Sequence, residues 1–382
     1  MTNLLNSSTI VQLCPRLNSG GIERGTVDLA IALKKAGFNS LVISGGGFLE
    51  KELADHGVMH IKLPIYSKNP WQFMLNLGSL AKIFTQLKPA IIQPYSRIPA
   101  WLVYLIARKH NYYWISNCNG VHSIDKLGIK KWYNAVLTKG QQVVANSEFT
   151  KAYLIKNYPV NADKIKVIYR GIDNEKFNPQ LFDSANISSL KKQRKIPEGK
   201  TVILLPARFS HWKGQFVFIE ACRLLKENFQ FDFVALLVGN TKNKAYVNTI
   251  EDLIRRYHLT EEVKILTEAQ QMNQLYAVAD IVLSTSIEPE AFGRTIVEAQ
   301  SMLKAVIAPK HGGACETIDE GKTGWLYPPG DAKALAETIY KVCELSAEQK
   351  LQILNNAAQQ AKTKFSKTHM CEEYIKLYKD VL

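Results

Sequence analysis

The chain has 382 residues, of which 46% are hydrophobic, 21% charged and 10% aromatic. The length suits two domains, and the composition excludes collagen, disordered tails and integral membrane proteins, since no apolar run approaches the roughly 18 to 20 residues of a membrane span. Positions 1–180 hold 22 basic and 10 acidic residues, or +12 of the net +14, and the remainder, 26 against 24, holds +2. This asymmetry predicts an anionic partner for the first half: a nucleic acid, a membrane surface or a phosphorylated substrate.

The cysteines are far apart in sequence and form no CxxC pair. They are Cys14, Cys118, Cys222, Cys315, Cys343 and Cys371. This spacing predicts reduced, mostly buried thiols of a cytosolic protein rather than a disulfide framework or a metal site. Residues 1–15 have neither a basic segment nor an apolar stretch of the kind that signal peptides carry. We therefore expect a cytoplasmic location.

Short apolar runs recur along the chain, and most are followed by helical spacing. The predicted strands are 9–13, 39–43, 60–63, 90–93, 113–117, 142–145 and 164–169, then 202–206, 231–239, 263–266, 281–284 and 305–309. Strands that alternate with helices indicate parallel βαβ units, so two doubly wound α/β domains are expected. The polar segment 172–200 is predicted to be a linker with an irregular lead-in, and three helices are predicted over 332–345, 347–365 and 368–382.

Two glycine clusters follow predicted strands of the first half. Gly20 and Gly21 stand between the first strand and a segment with helical spacing, and such a turn can present free backbone N–H groups to an anion. An ordinary turn that binds nothing fits the pattern equally well. The second cluster, 45–47, lacks the third glycine of a dinucleotide fingerprint, because Glu50 stands at its position.

Two cations lie on the loop after the first strand of the second half. Arg208 and Lys213 would stand at the carboxyl end of a parallel strand, where open α/β sheets bind ligands. An Arg fork beside a Lys charge suits a diphosphate, although two solvated surface cations are the simpler alternative.

The segment 284–299 carries a pair of carboxylates. Pro289 keeps Glu290 in a loop, whereas Glu298 lies within the helix that should begin near Gly293. A loop carboxylate can accept hydrogen bonds from sugar hydroxyls, and the N–H groups at Phe292, Gly293 and Arg294 can hold a phosphate. Alternatively, Glu298 is an exposed helix residue.

The Glu-x7-Glu spacing of Glu290 and Glu298, with Phe-Gly inside it, resembles the signature of retaining glycosyltransferases of family 4, which have the GT-B fold. Other stretches resemble segments of that family in the same order along the chain. They are Gly20-Gly21-Ile22-Glu23, 144–147, 167–173, Arg208 with Lys213-Gly214, Gly312-Gly313 with Glu316, and 321–324. Together they extend from about residue 10 to residue 331.

The resemblance implies two Rossmann-like domains that face a cleft, with a C-terminal helix crossing back to the N-terminal domain. The acceptor would bind to residues 1–175 with about 366–382, and the donor to residues 176–365. The implied donor is a nucleotide-diphosphate sugar, such as a UDP- or GDP-sugar, used without a cofactor or an obligatory metal. Arg208 and Lys213 would bind its diphosphate, and Gly20 and Gly21 would belong to the donor site as well.

The two carboxylates would divide the rest of the donor between them. In the family, the residue at the position of Glu290 contacts the transferred sugar, and the one at the position of Glu298 holds the ribose. The family often carries His-Gly where this chain has Asn119-Gly120, and His122 follows shortly after. Either Asn119 or His122 would therefore take the place of that catalytic histidine.

The acceptor is expected to be a glycan or a lipid-linked saccharide of bacterial cell-surface polysaccharide or lipopolysaccharide biosynthesis. Aromatic and basic residues that could contact an anionic membrane, at the cytoplasmic face of the inner membrane, recur in the first half. They are Trp71, Phe73, Lys82, Trp101, Tyr104, Arg108, Lys109, Tyr112, Trp114, Lys130, Lys131 and Trp132. Two alternatives stay open: another GT-B enzyme, such as a nucleotide-sugar epimerase or a phosphorylase, and a non-enzymatic nucleic-acid binder. No nucleic-acid partner is expected, because the sequence has no RNA-binding signature.

Overall fold

The structure is a computed structural model that describes residues 8–18, 20–121, 128–240, 243–266 and 271–382. It divides into two compact units. The first comprises Met1–Gly171 with Lys367–Leu382, and the second comprises Ile172–Ser366. The second unit begins at Ile172, four residues before the predicted start at residue 176. The reason is that Ile172 donates its N–H to the carbonyl of Phe365 and pairs with Ser366, both within the second unit.

The first unit is built on parallel strands. They are β1 Thr9–Cys14, β2 Asn39–Ser44, β3 Met59–Lys62, β4 Ile91–Pro94, β5 Ile115–Cys118, β6 Gln142–Ala145 and β7 Ile165–Val167. The order is β3-β2-β1-β4 in one sheet and β5-β6-β7 in another, and two parallel bridges, Ile92 with Trp114 and Tyr95 with Asn117, connect β4 to β5. Every residue of β1 is buried, as expected for a central strand covered on both faces.

Helices cover both faces of these strands. They are α1 Gly21–Lys35, α2 Glu50–Asp55, α3 Pro70–Leu87, α4 Arg97–His110, α5 Ile129–Asn134 and α6 Glu148–Asn157, with 3-10 turns at Ala135–Thr138 and Ala162–Lys164. Local sequence explains where α3 begins. Pro70 lies in its first turn, and the Asn69 side chain accepts hydrogen bonds from the N–H groups of Trp71 and Gln72.

The second unit contains one parallel sheet in the order β10-β9-β8-β11-β12-β13. Its strands are β8 Thr201–Pro206, β9 Phe233–Val238, β10 Val263–Leu266, β11 Ile281–Leu283, β12 Ala305–Pro309 and β13 Trp325–Tyr327. Its helices are α7 Ser184–Gln193, α8 Gln215–Phe229, α9 Lys244–Arg256, α10 Met272–Val278, α11 Arg294–Ser301, α12 Ala314–Thr317, α13 Ala332–Cys343 and α14 Ala347–Thr363, with 3-10 turns at Pro179–Leu181 and His211–Lys213. This strand order is that of a doubly wound sheet, which places the loops after β8 and β11 at its carboxyl edge.

The last helix, α15 Lys367–Val381, belongs to the first unit and packs on α1. Its stripe Tyr374, Leu377 and Tyr378 is buried in a cluster with apolar side chains of the first unit. The predicted amphipathic helix at 368–382 therefore packs on the unit in which the chain begins.

Two features of the second unit differ from expectation. The predicted irregular lead-in contains helix α7, which the Asp183 side chain caps by accepting a hydrogen bond from the N–H of Asn186. Ile187 and Leu190 of this mainly polar helix pack against a core cluster of the second unit, so tertiary contacts stabilise a helix of weak sequence signal. Strand β13 was not predicted, because its three residues lie directly between Gly324 and Pro328, two residue types that are typical of loops.

The structure also bears on the expectations for the cysteines and for membrane-spanning segments. All six cysteines are free thiols, and Cys315 is exposed while Cys343 is partly buried. Within the described ranges, no helix combines the length and apolarity needed to cross a membrane.

Candidate functional site

The loop after β8 and the loop after β11 meet at an ion pair. The Lys213 ammonium lies 2.6 Å from Oε1 of Glu290, and both side chains are largely buried. The hydroxyls of Ser284 and Ser286 donate to the same oxygen. The two residues predicted for the diphosphate and for the sugar are therefore in direct contact.

This environment keeps Glu290 ionised. Burial alone would raise the pKa of its carboxyl, but the Lys213 charge and the hydrogen bonds from Lys213, Ser286 and Ser284 outweigh burial and lower the pKa below its ordinary value. All three donors approach Oε1, and no hydrogen bond from the described residues reaches Oε2. One oxygen thus anchors the carboxylate, and the other can accept a hydrogen bond from a ligand.

Glycines allow the backbone segments around the pair to approach closely. Gly214 has φ +66°, and a Cβ there would lie 1.9 Å from the carbonyl oxygen of Thr285. Gly312 and Gly313 pack against the segment of Glu290, and the N–H of Gly313 donates to the carbonyl of Glu290 at 2.8 Å. The glycines of these two motifs therefore position Lys213 and Glu290.

Arg208 and Lys213 share one aromatic ring. The Lys213 ammonium lies 4.2 Å from the centroid of Trp212, and the Arg208 guanidinium carbon lies 6.0 Å from it. The buried amide of Gln215 donates to the carbonyl of Arg208 at 2.8 Å and accepts from the Tyr246 hydroxyl at 3.1 Å. The structure thus brings the two predicted cations together on an indole face.

Glu298 is buried in α11, so the alternative of an exposed helix residue is wrong. Its Oε1 accepts from Arg294 at 2.8 Å, and its Oε2 accepts from the Tyr276 hydroxyl at 2.9 Å. Helix α11 begins at Arg294 after Gly293, whose φ of +85° makes the turn, and the Phe292 side chain is buried. The Phe292 side chain is therefore not available to a ligand.

Two predicted site loops of the first unit are joined by Arg170. Its guanidinium donates to the Asn119 side-chain oxygen at 3.2 Å and also to the carbonyl of Gly21, at the start of α1. The buried Nδ2 of Asn119 has no hydrogen-bond partner among the described residues. Asn119 and Gly21 thus lie on either side of one guanidinium.

Two further predicted residues, Gly20 and His122, belong to these two loops. Gly20 lies under the Glu23 side chain, where a Cβ would come 2.1 Å from a carboxylate oxygen. Glu23 thus places a negative charge near the start of α1. His122 lies outside the described residues.

Several polar residues of these sites were not predicted, chiefly Ser286, Trp212, Gln215, Tyr276 and Arg170. Ser286 stands four residues before Glu290, and Trp212 precedes Lys213, so sequence proximity was an available signal for both. Tyr276 lies 22 residues from Glu298, and Arg170 lies 51 residues from Asn119 and 149 from Gly21, so only the fold brings them together. Arg170 stands in the stretch 167–173 that resembles the family, but no role was predicted for it. Within the described residues, no group of three or more His, Cys, Asp or Glu side chains is placed to hold a metal ion.

Both units match known protein families. Residues 186–361 match the family Glycosyl transferases group 1, and residues 19–176 match Glycosyltransferase Family 4. A curated relative, the lipopolysaccharide 1,2-N-acetylglucosaminetransferase of Salmonella typhimurium, is 26% identical over 241 residues, which cover 61% of this chain and 60% of the relative. The chain spans about half the length of the first curated relatives that it matches.

Solved structures match along nearly the whole chain. A glycosyltransferase from Rickettsia africae is 37% identical with a TM-score of 0.89, and the match covers 98% of this chain and 99% of that one. The Anabaena protein HepE, solved with UDP and glucose, shares the fold at 24% identity with a TM-score of 0.84, covering 98% of this chain and 100% of HepE. With two Rossmann-like units built on parallel sheets, and with these relatives, the chain belongs to the family 4 glycosyltransferases of the GT-B fold.

Proposed function

We propose that the protein is a retaining, hexosyltransferase-type glycosyltransferase that moves a sugar from a nucleotide-diphosphate sugar to a glycan or lipid-linked acceptor. The observation that supports this most directly is the contact of Lys213 with Glu290 beside Arg208. Two cations that would bind a diphosphate stand next to a carboxylate whose Oε2, with no hydrogen bond from the described residues, would accept one from a sugar hydroxyl.

In the proposed reaction, cleavage of the sugar–phosphate bond leaves negative charge on the nucleotide diphosphate. Arg208 and Lys213 would stabilise that charge, together with the N–H groups around Gly293. Oε2 of Glu290 would accept a hydrogen bond from the transferred sugar and so orient it. Glu298, fixed by Arg294 and Tyr276, would accept from the ribose through the lone pairs that these donors leave.

We infer a UDP-sugar donor and a cell-surface glycan acceptor. HepE, which shares the fold, was solved with UDP and glucose, and the Salmonella relative is named for transfer of N-acetylglucosamine to lipopolysaccharide. No cofactor is proposed. In the first unit, Asn119 is proposed to help position the reacting groups in place of a histidine, since Arg170 holds it beside Gly21.

The acceptor-side unit is further proposed to contact an anionic membrane surface from the cytoplasm. Trp71 and Trp132 are 75% and 65% exposed, and Trp132 follows Lys130 and Lys131 on α5. Trp114, by contrast, is buried and belongs to the core. Exposed indoles beside cations suit a lipid headgroup region.

The proposal is tested by a thermal-shift screen of UDP- and GDP-sugars, followed by transfer assays on Lys213→Ala and Glu290→Gln. A bound donor should raise the melting temperature. Lys213→Ala should weaken donor binding and lower kcat, because the leaving diphosphate loses a charge partner. Glu290→Gln should lower kcat by about 100-fold or more while UDP still binds.

The matched control is the ion pair of Lys226 with Glu262 at 2.7 Å, which also lies in the second unit. Lys226→Ala and Glu262→Gln should keep full transfer activity. Full activity of folded Lys213→Ala and Glu290→Gln would contradict the assignment, and sugar released or isomerised without an acceptor would instead favour another GT-B reaction.

A further inference from the structure

The carboxyl ends of β1, β2 and β3 bring together a group of residues that the proposed reaction does not use. Arg16 follows β1, the three glycines 45–47 follow β2, and Lys62 ends β3, with Tyr66 shortly after it. These strands are adjacent and parallel, so the residues lie at one edge of the sheet, where open α/β sheets bind ligands.

Arg16 is held in place by an aromatic ring. Its guanidinium carbon lies 4.0 Å from the centroid of Tyr66. The ring packs on Gly45, where a Cβ would lie 2.4 Å from Tyr66 Cε1. Arg16 is exposed, and the described residues offer it no salt bridge. Stacking occupies the face of the guanidinium and leaves its in-plane N–H groups available for an anion.

Lys62 adds a second cation next to the same loop. Its ammonium lies 3.1 Å from the position that a Cβ of Gly46 would take, and its side chain is 70% exposed. Its contact with Glu50 is long, at 3.7 Å, whereas Glu50 accepts a hydrogen bond of 2.5 Å from the N–H of Gly47. Glu50 therefore fixes the glycine loop, and Lys62 keeps donors for a ligand.

We propose that Arg16, stacked on Tyr66, forms with Lys62 a subsite for a phosphomonoester group carried by the acceptor. That the phosphate is carried by the acceptor rests on the proposed function. That this subsite binds a phosphate does not depend on it. The group could belong to a phosphorylated sugar or to a lipid headgroup, and the chemistry of recognition is the same for both.

The test measures binding of glucose 6-phosphate by titration calorimetry, with glucose as the uncharged comparison. The full-length chain carries Lys213→Ala throughout, so that the diphosphate loop does not contribute. Glucose 6-phosphate should bind and glucose should not. Arg16→Gln should weaken binding about 10-fold or more, because the phosphate loses a charged hydrogen-bond donor. Tyr66→Leu should weaken it a few-fold, and Tyr66→Phe, which keeps the ring, should not.

Lys341→Gln is the charge-matched control, because this exposed lysine lies on α13 of the second unit and belongs to neither proposed binding surface. A second arm measures sedimentation with phosphatidylcholine vesicles that contain or lack phosphatidic acid. If binding depends on Arg16 only for glucose 6-phosphate, the ligand is a phosphorylated sugar, and if only for phosphatidic acid vesicles, it is a lipid headgroup. Dependence on Arg16 in both measurements supports one site that accepts either phosphate. Binding that is independent of Arg16 in both arms, or equally sensitive to Lys341→Gln, overturns the proposal, even if sugar transfer itself is demonstrated.

Discussion

At the scale of single residues, the two oxygens of Glu290 have different environments. Lys213 and two serine hydroxyls approach Oε1, while Oε2 receives no hydrogen bond from the described residues. A carboxylate held in this way keeps its charge and orientation, so it would need little reorganisation to bind the sugar of the proposed donor.

His311 extends this network through the backbone of Ser286. Its Nε2 lies 2.9 Å from the carbonyl of Ser286. Burial lowers the pKa of His311, and the hydrogen bond to Ser286 and the charge of Glu290 offset this only in part. Its pKa is therefore lower in the folded state than in the unfolded chain, and the unfolded chain binds the proton more readily as the pH falls.

We expect the free energy of unfolding to decrease as the pH is lowered from 7 to 5, through the ordinary histidine range near 6.5. His311→Gln should make this decrease shallower, because the group that takes up the proton is gone. Urea unfolding at several pH values measures the slope, and the exposed His110, changed to Gln, serves as control. Equal slopes for His311→Gln and the unchanged protein would refute the prediction.

At the scale of elements, the turn between the loop of Lys213 and α8 depends on Gly214. The residue combines a left-handed backbone with contact to the carbonyl of Thr285. Gly199, in the same unit, also has a left-handed φ, of +81°, but has open space around its Cβ position. Alanine at Gly199 would cost only the left-handed backbone conformation, whereas alanine at Gly214 would add a clash of its Cβ with the carbonyl oxygen of Thr285.

Gly199→Ala should lower the free energy of unfolding by about 1 to 2 kcal/mol, the cost of a left-handed residue. Gly214→Ala should lower it by more than about 3 kcal/mol and should also reduce transfer activity, because Lys213 must move. Denaturant unfolding of both variants measures the difference. Equal destabilisation would show that the contact with Thr285 relaxes at no cost.

The elements also show how far sequence reasoning extends. Buried strands such as β1 and β9 were predicted within a few residues, since a fully buried parallel strand is a continuous apolar run. Helix α7 was not, because its stability comes from Ile187 and Leu190 packing on a distant core. The same holds for the site: the resemblance of the Glu-x7-Glu spacing predicted Glu290 and Glu298, whereas the contacts of Tyr276 with Glu298 and of Arg170 with Asn119 arise only when the chain folds.

At the scale of the whole molecule, the charge follows the division into units. The first unit holds 24 basic and 11 acidic residues, a net charge of +13, and the second holds 24 and 23, a net charge of +1. The excess of cations thus lies in the unit proposed to bind the acceptor. A long-range attraction of anionic partners to that unit should weaken as salt is added.

We expect the protein to partition onto vesicles that contain anionic lipid, and less so at high salt. Changing Lys130 and Lys131 to Gln should reduce partitioning roughly 30-fold, since each cation contributes about 1 kcal/mol. Vesicle sedimentation measures this, with Lys322 and Lys341 of the second unit changed to Gln as the charge-matched control. Partitioning that does not respond to anionic lipid would rule out the membrane contact.

Helix α15 has a consequence for the order in which the chain can fold. The Tyr374 hydroxyl donates to the side chain of Asn117 across 257 residues, and Tyr378 is fully buried in the first unit. During synthesis from the N-terminus, the second unit, residues 172–366, leaves the ribosome complete before α15 emerges. The first unit, which is synthesised first, is therefore the last to complete its core. Until α15 packs, the surface of α1 that it covers is open to chaperones and to other nascent chains.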